Sequence, residues 1–375
     1  MAEYLTNTTD LTKVASAIRE KGGTSASLVY PDEFVTAIQA IQTGTELQII
    51  ATVTSGATVT ATKGSLSVSG TSVNGTCTLT VPEEGEWTVS ATLGGETSIS
   101  KIVNVVSSYD TTLAFVPTIL NDNSWETIRG ISDAGQGANY WSIGDRKEVT
   151  LNGTVGHLSL SNYKTYAFII GFNHNASVEG ANRIHFQLAK TALSGGTDVA
   201  LCDSKYKSTV STTGYFSMNS SKTSSVGWNL SQMRKNICGT SLSSYSGTMI
   251  AIIPAALRAV LKSVTKYTDN TGNSSSASAV TATTDYFFLL SEYEVSGAIN
   301  EGNPNESSKQ AQYSYYSAGN SKVKYNHSAT STAVFWWLRS PSAVYHNYFI
   351  GVFPSGMVSP FVATNSYGFA PGFCV

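Results

Sequence analysis

Histidines, cysteines and paired carboxylates are the side chains of this chain that could carry catalysis or bind a metal. The five histidines have neither the HExxH pattern nor the paired spacing that zinc sites use. The four cysteines have no CxxC spacing, so we expect each of them to be a small buried residue. Glu292 and Glu294 alternate within a possible strand and could share one face, as the two carboxylates of a glycosidase must. No GxSxG, P-loop or GxGxxG segment accompanies them, and we predict no catalytic residue, cofactor or metal ligand.

The last part of the chain, residues 335–375, has instead a composition that suits either a core or a contact surface. No Asp or Glu follows Glu306, and no Lys, Gln or Trp follows Arg339. Lys and Glu are seldom buried, so a terminal segment without them is either core or a specialised contact surface. The simpler alternative is an ordinary buried hairpin. A calcium site inside this segment is disfavoured, because calcium sites usually include carboxylates.

Amphipathic rings in the middle of this segment favour the contact surface. Such rings give a large contact area at a low cost in conformational entropy. The predicted ligand-contacting residues are Val344, Tyr345, His346, Asn347, Tyr348, Phe349, Phe353, Phe361, Thr364 and Asn365. Bulky residues before this stretch and turn chemistry after it predict a framework. We therefore expect two sets: Trp336, Trp337, Leu338, Tyr367 and Phe369 buried, and Tyr345, His346, Tyr348 and Phe353 partly exposed on one face.

The same stretch is also distinguished by the codons that can encode its residues. Almost every residue from Ser342 to Asn365 belongs to the set reached by randomising the two adenines of an Asn codon, with Met357 as the exception. The pattern resembles the C-terminal variable region of proteins that phage retroelements diversify.

More broadly, the chain resembles a domain family common in phage and prophage tail proteins of Gram-positive bacteria. In that family W-W-L-R-S-P opens the last segment and N-S-Y-G-x-x-P closes it, as at Trp336–Pro341 and Asn365–Pro371. Other matching stretches are Ser142–Asp145, Tyr166–Asn175, Asn182–Phe186 and Leu289–Glu294. The resemblance covers roughly Phe115–Val375 and implies a C-type-lectin-like fold of the formylglycine-generating-enzyme type. The oxidase activity of that type depends on paired reactive cysteines, and Cys374 has no cysteine near it in the sequence.

Length and charge bound the remaining possibilities. The chain has 375 residues, which predicts two or three domains, and a net charge of -2, which gives no drive toward nucleic acid or anionic membrane. Only 13% of residues are charged, while 41% are hydrophobic, so a folded core is expected. No signal peptide is visible, and the longest apolar run, residues 249–261, is too short to span a bilayer. Residues 249–267 read as the clearest helix.

Three domains are predicted along the chain. Residues 1–44 read as two short helices: Asp10 caps the first and Gly22-Gly23 stops it. Pro31 lies in the first turn of the second. Their apolar stripes are Leu11, Val14, Ala15 and Ile18, and Phe34, Ile38 and Ile41. Residues 45–108 contain short strands with turns between them and predict a small Ig-like β-sandwich with Trp87 in its core. Residues 109–375 have a mixed α+β pattern and would form the C-type-lectin-like domain.

Together these expectations describe a non-enzymatic receptor-binding protein at the tip of a phage tail. The N-terminal helices would dock to tail or baseplate proteins and support a homotrimer, and the terminal segment would bind a bacterial surface protein or glycan. No nucleic acid, membrane insertion or cofactor is expected, and the location would be the virion, assembled in the bacterial cytoplasm. The alternatives are a host-encoded surface adhesin and a glycan-degrading tail enzyme.

Overall fold

The computed structural model describes residues 8–21, 24–40, 46–206 and 216–375, and they form mixed structure, 21% helical and 36% strand. This confirms the predicted α+β class. The chain divides into two compact units, Met1–Val116 and Pro117–Val375. The predicted boundary after residue 108 is therefore too early. The reason is that strand Ser108–Thr112 pairs with a strand of the first unit and Leu113 is buried in that unit's core.

Two short helices open the first unit, as predicted: α1 (Thr8–Glu20) and α2 (Asp32–Ala40). Their contact is a small apolar cluster of Ala15, Ile18, Phe34 and Ala37, with Leu11 and Leu28 packed against it.

Several details of the predicted helices are wrong. Asp10 lies in the first turn of α1 rather than at its N-cap, because the helix already begins at Thr8. Pro31 precedes α2 rather than lying inside it. The stripe positions Val14 and Ile38 are 47% and 52% exposed, so the contact between the two helices does not cover this part of either stripe. The predicted stop at Gly22-Gly23 and the stripe position Ile41 lie outside the described residues.

The rest of the first unit is β-structure. Its strands are β1 (Gln48–Thr52), β2 (Thr58–Lys63), β3 (Leu66–Thr71), β4 (Thr76–Thr80), β5 (Gly85–Leu93), β6 (Glu96–Thr97), β7 (Lys101–Val105) and β8 (Ser108–Thr112). One sheet has the order β4-β1-β8, in which β1 and β8 run parallel. The other has the order β3-β2-β5-β6, and β7 also pairs with β5. The alternating sequence predicts five strands, at residues 47–54, 57–62, 77–81, 87–93 and 99–106, which correspond to β1, β2, β4, β5 and β7. It does not predict β3, β6 and β8, whose residues are mostly exposed.

One apolar core serves both sheets of the first unit. Its members come from β1, β2, β4, β5 and β7, and Trp87 is fully buried among them, as predicted. The indole Nε1 of Trp87 donates to the backbone oxygen of Glu83 at 3.1 Å, so this buried polar atom is satisfied.

The second unit contains seven short α-helices in the described part of the chain. They are α3 (Trp125–Asp133), α4 (Gly137–Tyr140), α5 (Ala176–Glu179), α6 (Met249–Ile252), α7 (Ala255–Val260), α8 (Glu292–Ser296) and α9 (Ser314–Ser317). Helical turns of other types are Leu120–Asp122, Met233–Cys238, Ala277–Ala279 and Pro304–Ser308. No helix among the described residues is long and apolar enough to cross a bilayer.

The strands of the second unit form four groups. They are β9 (Arg146–Val155), β10 (Leu158–Phe172), β11 (Ile184–Lys190), β12 (Val199–Ala200), β13 (Val264–Asp269), β14 (Val280–Asp285), β15 (Phe287–Phe288), β16 (Lys324–Asn326), β17 (Ala329–Val334), β18 (Trp336–Pro341), β19 (Tyr348–Val352), β20 (Val358–Val362) and β21 (Gly372–Cys374). The central sheet has the order β15-β21-β11-β10-β9, and the C-terminal sheet has the order β18-β19-β20. The remaining groups are β12-β16-β17 and the hairpin β13-β14.

The buried strands of the central sheet have two kinds of composition. The C-terminal half of β10 is mostly buried, as its apolar run requires of a strand covered on both faces. All of β11 is buried although His185, Gln187 and Lys190 are polar, because each of these side chains has a hydrogen-bond partner. All four cysteines are buried and free, as predicted.

Two secondary-structure predictions in the second unit are wrong. The helix expected over residues 249–267 is broken at Pro254, ends at Val260, and is followed by strand β13. Residues 285–290 read in the sequence as one strand, but this stretch is divided, because β14 ends at Asp285 and only Phe287–Phe288 joins the central sheet. Glu292 and Glu294 lie in helix α8, not in a strand.

Removal of the buried indole should unfold the first unit far more readily than removal of an exposed side chain. We expect Trp87→Ala to lower its free energy of unfolding by ~3–5 kcal/mol, because a fully buried aromatic residue leaves a cavity. The control is Ile102→Ala in β7, at a side chain that is 71% exposed, where the change should stay within about 0.5 kcal/mol. Denaturant titration followed by circular dichroism measures both. Similar losses for the two variants would contradict this core.

Candidate functional site

One end of the C-terminal sheet lies beside the loop that contains several of the predicted contact residues. In the antiparallel pairing of β19 with β20, Tyr348 lies opposite Val362 and Val352 lies opposite Val358. The segment between β18 and β19, which we call loop D (residues 342–347), therefore lies at the same end as the residues that follow β20. The backbone amide of Ala363 donates to the oxygen of Asn347 at 2.9 Å and joins the two.

The predicted contact residues fall into three groups by exposure. Val344 and Tyr345 are 63% and 47% exposed, and His346 is also exposed. Asn347, Tyr348, Phe353 and Asn365 are half-buried, whereas Phe349, Phe361 and Thr364 are buried. The rings of Tyr345 and Tyr348 pair at a centroid distance of 5.1 Å.

Four of the ten predicted contact residues need correction. Phe349 and Phe361 face each other across β19 and β20 inside the domain, so they contribute to its core. Thr364 is 2% exposed. Phe353 lies at the opposite end of β19 from Tyr348, where its ring packs 4.9 Å from that of Phe361. These four side chains therefore do not share a surface with Tyr345.

The predicted framework residues are all buried: Trp336, Trp337, Leu338, Tyr367 and Phe369. Adjacent side chains of a strand point to opposite faces, which by itself would place one of these two indoles at the edge of the domain. Both are nevertheless 0% exposed. Their buried N–H groups are satisfied, because Trp336 donates to the oxygen of Lys322 and Trp337 to the oxygen of Phe216, each at 2.9 Å.

Three further loops hold loop D by backbone hydrogen bonds. Loop A (residues 219–227) donates from the amide of Ser224 to the oxygen of His346 at 2.7 Å. Loop B (residues 270–276), which leaves strand β13, donates from Asn273 to the oxygen of Ser342 at 3.1 Å. Loop C (residues 298–303), which follows helix α8, accepts from Ala343 through the oxygen of Glu301 at 2.8 Å. Only backbone atoms of loop D take part, so its outward side chains can change without loss of these bonds.

Two glycines allow loops A and B to approach each other closely. A Cβ atom on Gly272 would lie 1.9 Å from the oxygen of Ser224, and one on Gly227 would lie 2.3 Å from Cα of Asn270. Both glycines also have positive φ, +67° and +54°. Only glycine fits such positions, because it has no side chain and adopts this conformation freely.

A buried carboxylate joins the bases of loops B and D. Glu306 accepts from the amide of Asp269 at 2.9 Å and from the hydroxyl of Ser340 at 2.7 Å. The carboxylate of Asp269 in turn accepts from the amides of Thr271 and Gly272, each at 2.9 Å, and so shapes loop B. Burial raises the pKa of Glu306 to about 7, although Arg339 and its hydrogen bonds act in the opposite direction.

Glu292 supports loop C in the same way. Its carboxylate accepts from the amides of Asn300 at 3.0 Å and Gly302 at 2.8 Å, and the side chain is fully buried. Burial raises its pKa. Glu294 is also fully buried, so neither of these two carboxylates reaches the surface where a glycan would bind.

A buried ionic network lies beneath the loops. Arg339 is the one cation of the bulky framework segment, so a framework carboxylate is its expected partner rather than a ligand. It donates to the two carboxylate oxygens of Glu294 at 2.5 and 2.8 Å, which confirms this pairing. Lys266 donates to Glu294 at 2.9 Å and to Glu179 at 2.7 Å. Burial alone would raise the pKa of Glu294, but Arg339 and Lys266 hold it well below its usual value. The hydroxyl of Tyr313 accepts from Lys266 at 2.8 Å.

Part of this network has the composition of a metal site. Ligand atoms of His174, Glu179 and Glu294 lie within 4.8 Å of one another. The ammonium group of Lys266 already contacts both carboxylates, and burial and that charge lower the pKa of His174 to about 3. A divalent ion would have to displace Lys266 from a dry interior where the charges are balanced. The cluster is therefore best described as an ion-pair network.

The segment Asn173-His174-Asn175 is a cluster of short polar groups after an apolar strand, which favours a structural hydrogen-bonding turn over ligand contact. The structure agrees with the turn. Asn173 and Arg183 exchange hydrogen bonds, and the side-chain amide of Asn175 donates to the oxygen of Lys309 at 2.9 Å. The ring of His174 stacks on Tyr313 at 3.7 Å.

Sequence reasoning missed the supporting residues because they are far apart in the chain. In the sequence, Glu306 is notable only as the last carboxylate. The stretch that contains loop B is rich in Ser, Thr and Asn and reads only as a loop. Lys266 gave no signal, since it was assigned to a helix that does not extend that far. No local pattern shows that these residues meet beneath loop D.

Comparison with known proteins gives a family without a known activity. Residues 206–375 match the family described as a domain of unknown function (DUF6273). No curated protein matches the chain. The matched range contains all four loops and the C-terminal sheet, but neither Glu179 nor His174.

Close packing between loops A and B should make Gly272 far less tolerant than another glycine of similar φ. Gly319 has φ +84° and a Cβ atom there would meet nothing within 4 Å. We expect Gly319→Ala to cost about 1–2 kcal/mol of left-handed strain. Gly272→Ala should cost about 1–3 kcal/mol more through overpacking. Urea denaturation followed by tryptophan fluorescence compares them, and equal losses would contradict the close approach.

The raised pKa of Glu306 should appear in the pH dependence of stability. Between its unfolded pKa of about 4.3 and its folded pKa of about 7, the unfolded state loses the proton that the folded state keeps, so this group's stabilisation falls as pH rises. Glu306→Gln should therefore gain stability relative to the parent across this window, on the order of 3 kcal/mol. Exposed Glu126→Gln is the control. A constant difference for Glu306→Gln would rule out this titration.

Proposed function

We propose that this chain is a non-enzymatic receptor-binding protein of a phage tail tip, which uses loop D to contact a bacterial surface. The observation that carries the proposal is the position of loop D. Its aromatic and apolar side chains point outward from a carboxylate-free segment, while its backbone is fixed by three other loops. Exposed side chains on a constrained backbone are what a recognition surface requires, because little conformational entropy is lost on binding.

Resemblance and composition support the particular class. The retroelement-type segment, Ser342 to Asn365, coincides with the part of the second unit that contains loop D and the half-exposed Tyr348. The motif residues Trp337 and Arg339 lie in its framework. We propose a C-type-lectin-like fold for the second unit, supported by the matching motifs, and an Ig-like fold for the β-structure of the first unit, supported by its two sheets around Trp87.

We further propose that the N-terminal helices dock to other tail proteins and hold three copies together. The support is that apolar side chains of both helices face outward: Val14, Val35 and Ile38 are each about half exposed, at 47%, 53% and 52%. Multivalent display on a virion would raise avidity by ~10²–10⁴ without new contacts. Individual sites can then be weak.

Paired variants separate recognition from folding. Tyr348→Ala should cost about 0.5 kcal/mol or less in stability but weaken cell binding by about tenfold, as loss of a hot-spot ring does. Trp337→Ala should cost ~3–5 kcal/mol in stability, because its indole is fully buried. The measurements are thermal melts and flow cytometry of the labelled full chain on a panel of intact Gram-positive cells.

The matched control is Tyr325→Ala, a half-buried tyrosine in β16 outside the four loops, which should bind as the parent does. Binding should also survive a chelator, since loop D has no carboxylate. The proposal fails if no cells are bound, if Tyr348→Ala binds normally, or if a chelator abolishes binding while the fold remains.

A further inference from the structure

We infer that the recognition surface extends from loop D onto loop B, and that the two together bind a neutral saccharide. The inference rests on the proposed function, because it takes loop D as the contact surface. It adds a second contact element, which lies outside the retroelement-type segment, and a chemical class of ligand.

Loop B lies directly beside loop D and presents polar side chains to solvent. The amide of Asn273 donates to the oxygen of Ser342, and Thr271, Asn273 and Ser275 are exposed. On its other side loop B is fixed to the start of the helical turn after loop C. The side-chain amides of Asn303 and Asn305 donate to the oxygens of Ser276 and Ser275 at 2.9 and 2.8 Å.

Both loops are held in place before any ligand binds. The carboxylate of Asp269 fixes the turn of loop B, and the close approach at Gly272 fixes its distance from loop A. Hydroxyl and amide groups on such a backbone are already oriented, so a ligand with many hydroxyl groups can be bound without the cost of ordering the loop.

The chemistry of the exposed groups selects an uncharged ligand. Loop B has no charged residue, and loops A and C contribute one residue of each sign, Lys222 and Glu301. A charged ligand normally meets a surface of opposite charge, and none is present among these loops.

The uncharged groups on this surface match the hydroxyl groups and apolar faces of a saccharide. In the described part of the chain, the side-chain amides of Asn273 and Asn300 make no hydrogen bond, so each can donate to and accept from a hydroxyl group. The paired rings of Tyr345 and Tyr348 supply an apolar face with polar tips. A protein partner would call for a larger apolar centre, whereas the large side chains available here are the exposed Val344 and Tyr345 and the half-buried Tyr348.

A change of amide to carboxylate on loop B tests the extended surface. Asn273→Asp keeps the size and the left-handed backbone preference of the side chain but loses its donors and adds a charge. We expect binding of the full chain to intact Gram-positive cells to fall by about tenfold, since a charge facing a neutral ligand must be desolvated. Ser275→Asp should act in the same direction. The control is Asn152→Asp, an exposed position in β9, which should bind as the parent does.

Treatment of the cells identifies the ligand class. Mild periodate, which cleaves vicinal diols, should abolish binding, and proteinase K should leave it unchanged. Binding should also be nearly the same at about 0.05 M and about 0.5 M NaCl, because a neutral ligand is not screened by salt. Loss of binding after proteinase K, or a steep dependence of binding on salt, would show that the ligand is not a neutral saccharide.

The variants also separate this inference from the function on which it rests. If Tyr348→Ala weakens binding while Asn273→Asp and Ser275→Asp, with unchanged melts, do not, then the surface is limited to loop D and the start of β19, and its extension onto loop B is wrong. If Tyr348→Ala has no effect, the proposed function itself is wrong. A tenfold loss of binding both in Tyr348→Ala and in the two loop B variants supports the proposed function and its extension onto loop B.

Discussion

The ion pair between Arg339 and Glu294, extended by Lys266, is the interaction on which the second unit depends. All three side chains are buried, so each charge is stable only while its partners stay in place. Removal of one member of a buried pair costs about 3–5 kcal/mol, because the other charge is left without compensation. The three residues lie on different elements: Arg339 on β18, Lys266 on β13 and Glu294 on α8. These elements lead into loops D, B and C.

The network therefore fixes the elements that end at the candidate surface. Glu306 and Glu292 lie between this network and the candidate surface. They accept hydrogen bonds from backbone amides at the bases of loops B and C and from the hydroxyl of Ser340 at the base of loop D. The outward side chains of loop D take part neither in the ion-pair network nor in the hydrogen bonds of these two carboxylates. A surface built in this way can change its chemistry by substitution while its framework keeps the same geometry.

The sequence by itself determined which parts of the terminal segment are framework. Trp336, Trp337 and Leu338 were expected to be buried because a long apolar run next to turn chemistry has no stable position in water. Arg339 was expected to find a carboxylate because a cation within such a run must be paired. The α+β class and most strands of the first unit also follow from local alternation and turn residues, which need no knowledge of distant contacts.

Tertiary structure alone decided which rings of the segment reach solvent and what lies beside them. Phe349 and Phe361 are aromatic like Tyr345 and lie in the same ring-rich stretch, but the pairing of β19 with β20 places them opposite each other inside the domain. Composition does not record that pairing, because strand register depends on partners elsewhere in the chain. The contact between loops B and D has the same origin. Asn273 and Ser342 are far apart in sequence, and they meet because buried charges on β13 and β18 share Glu294.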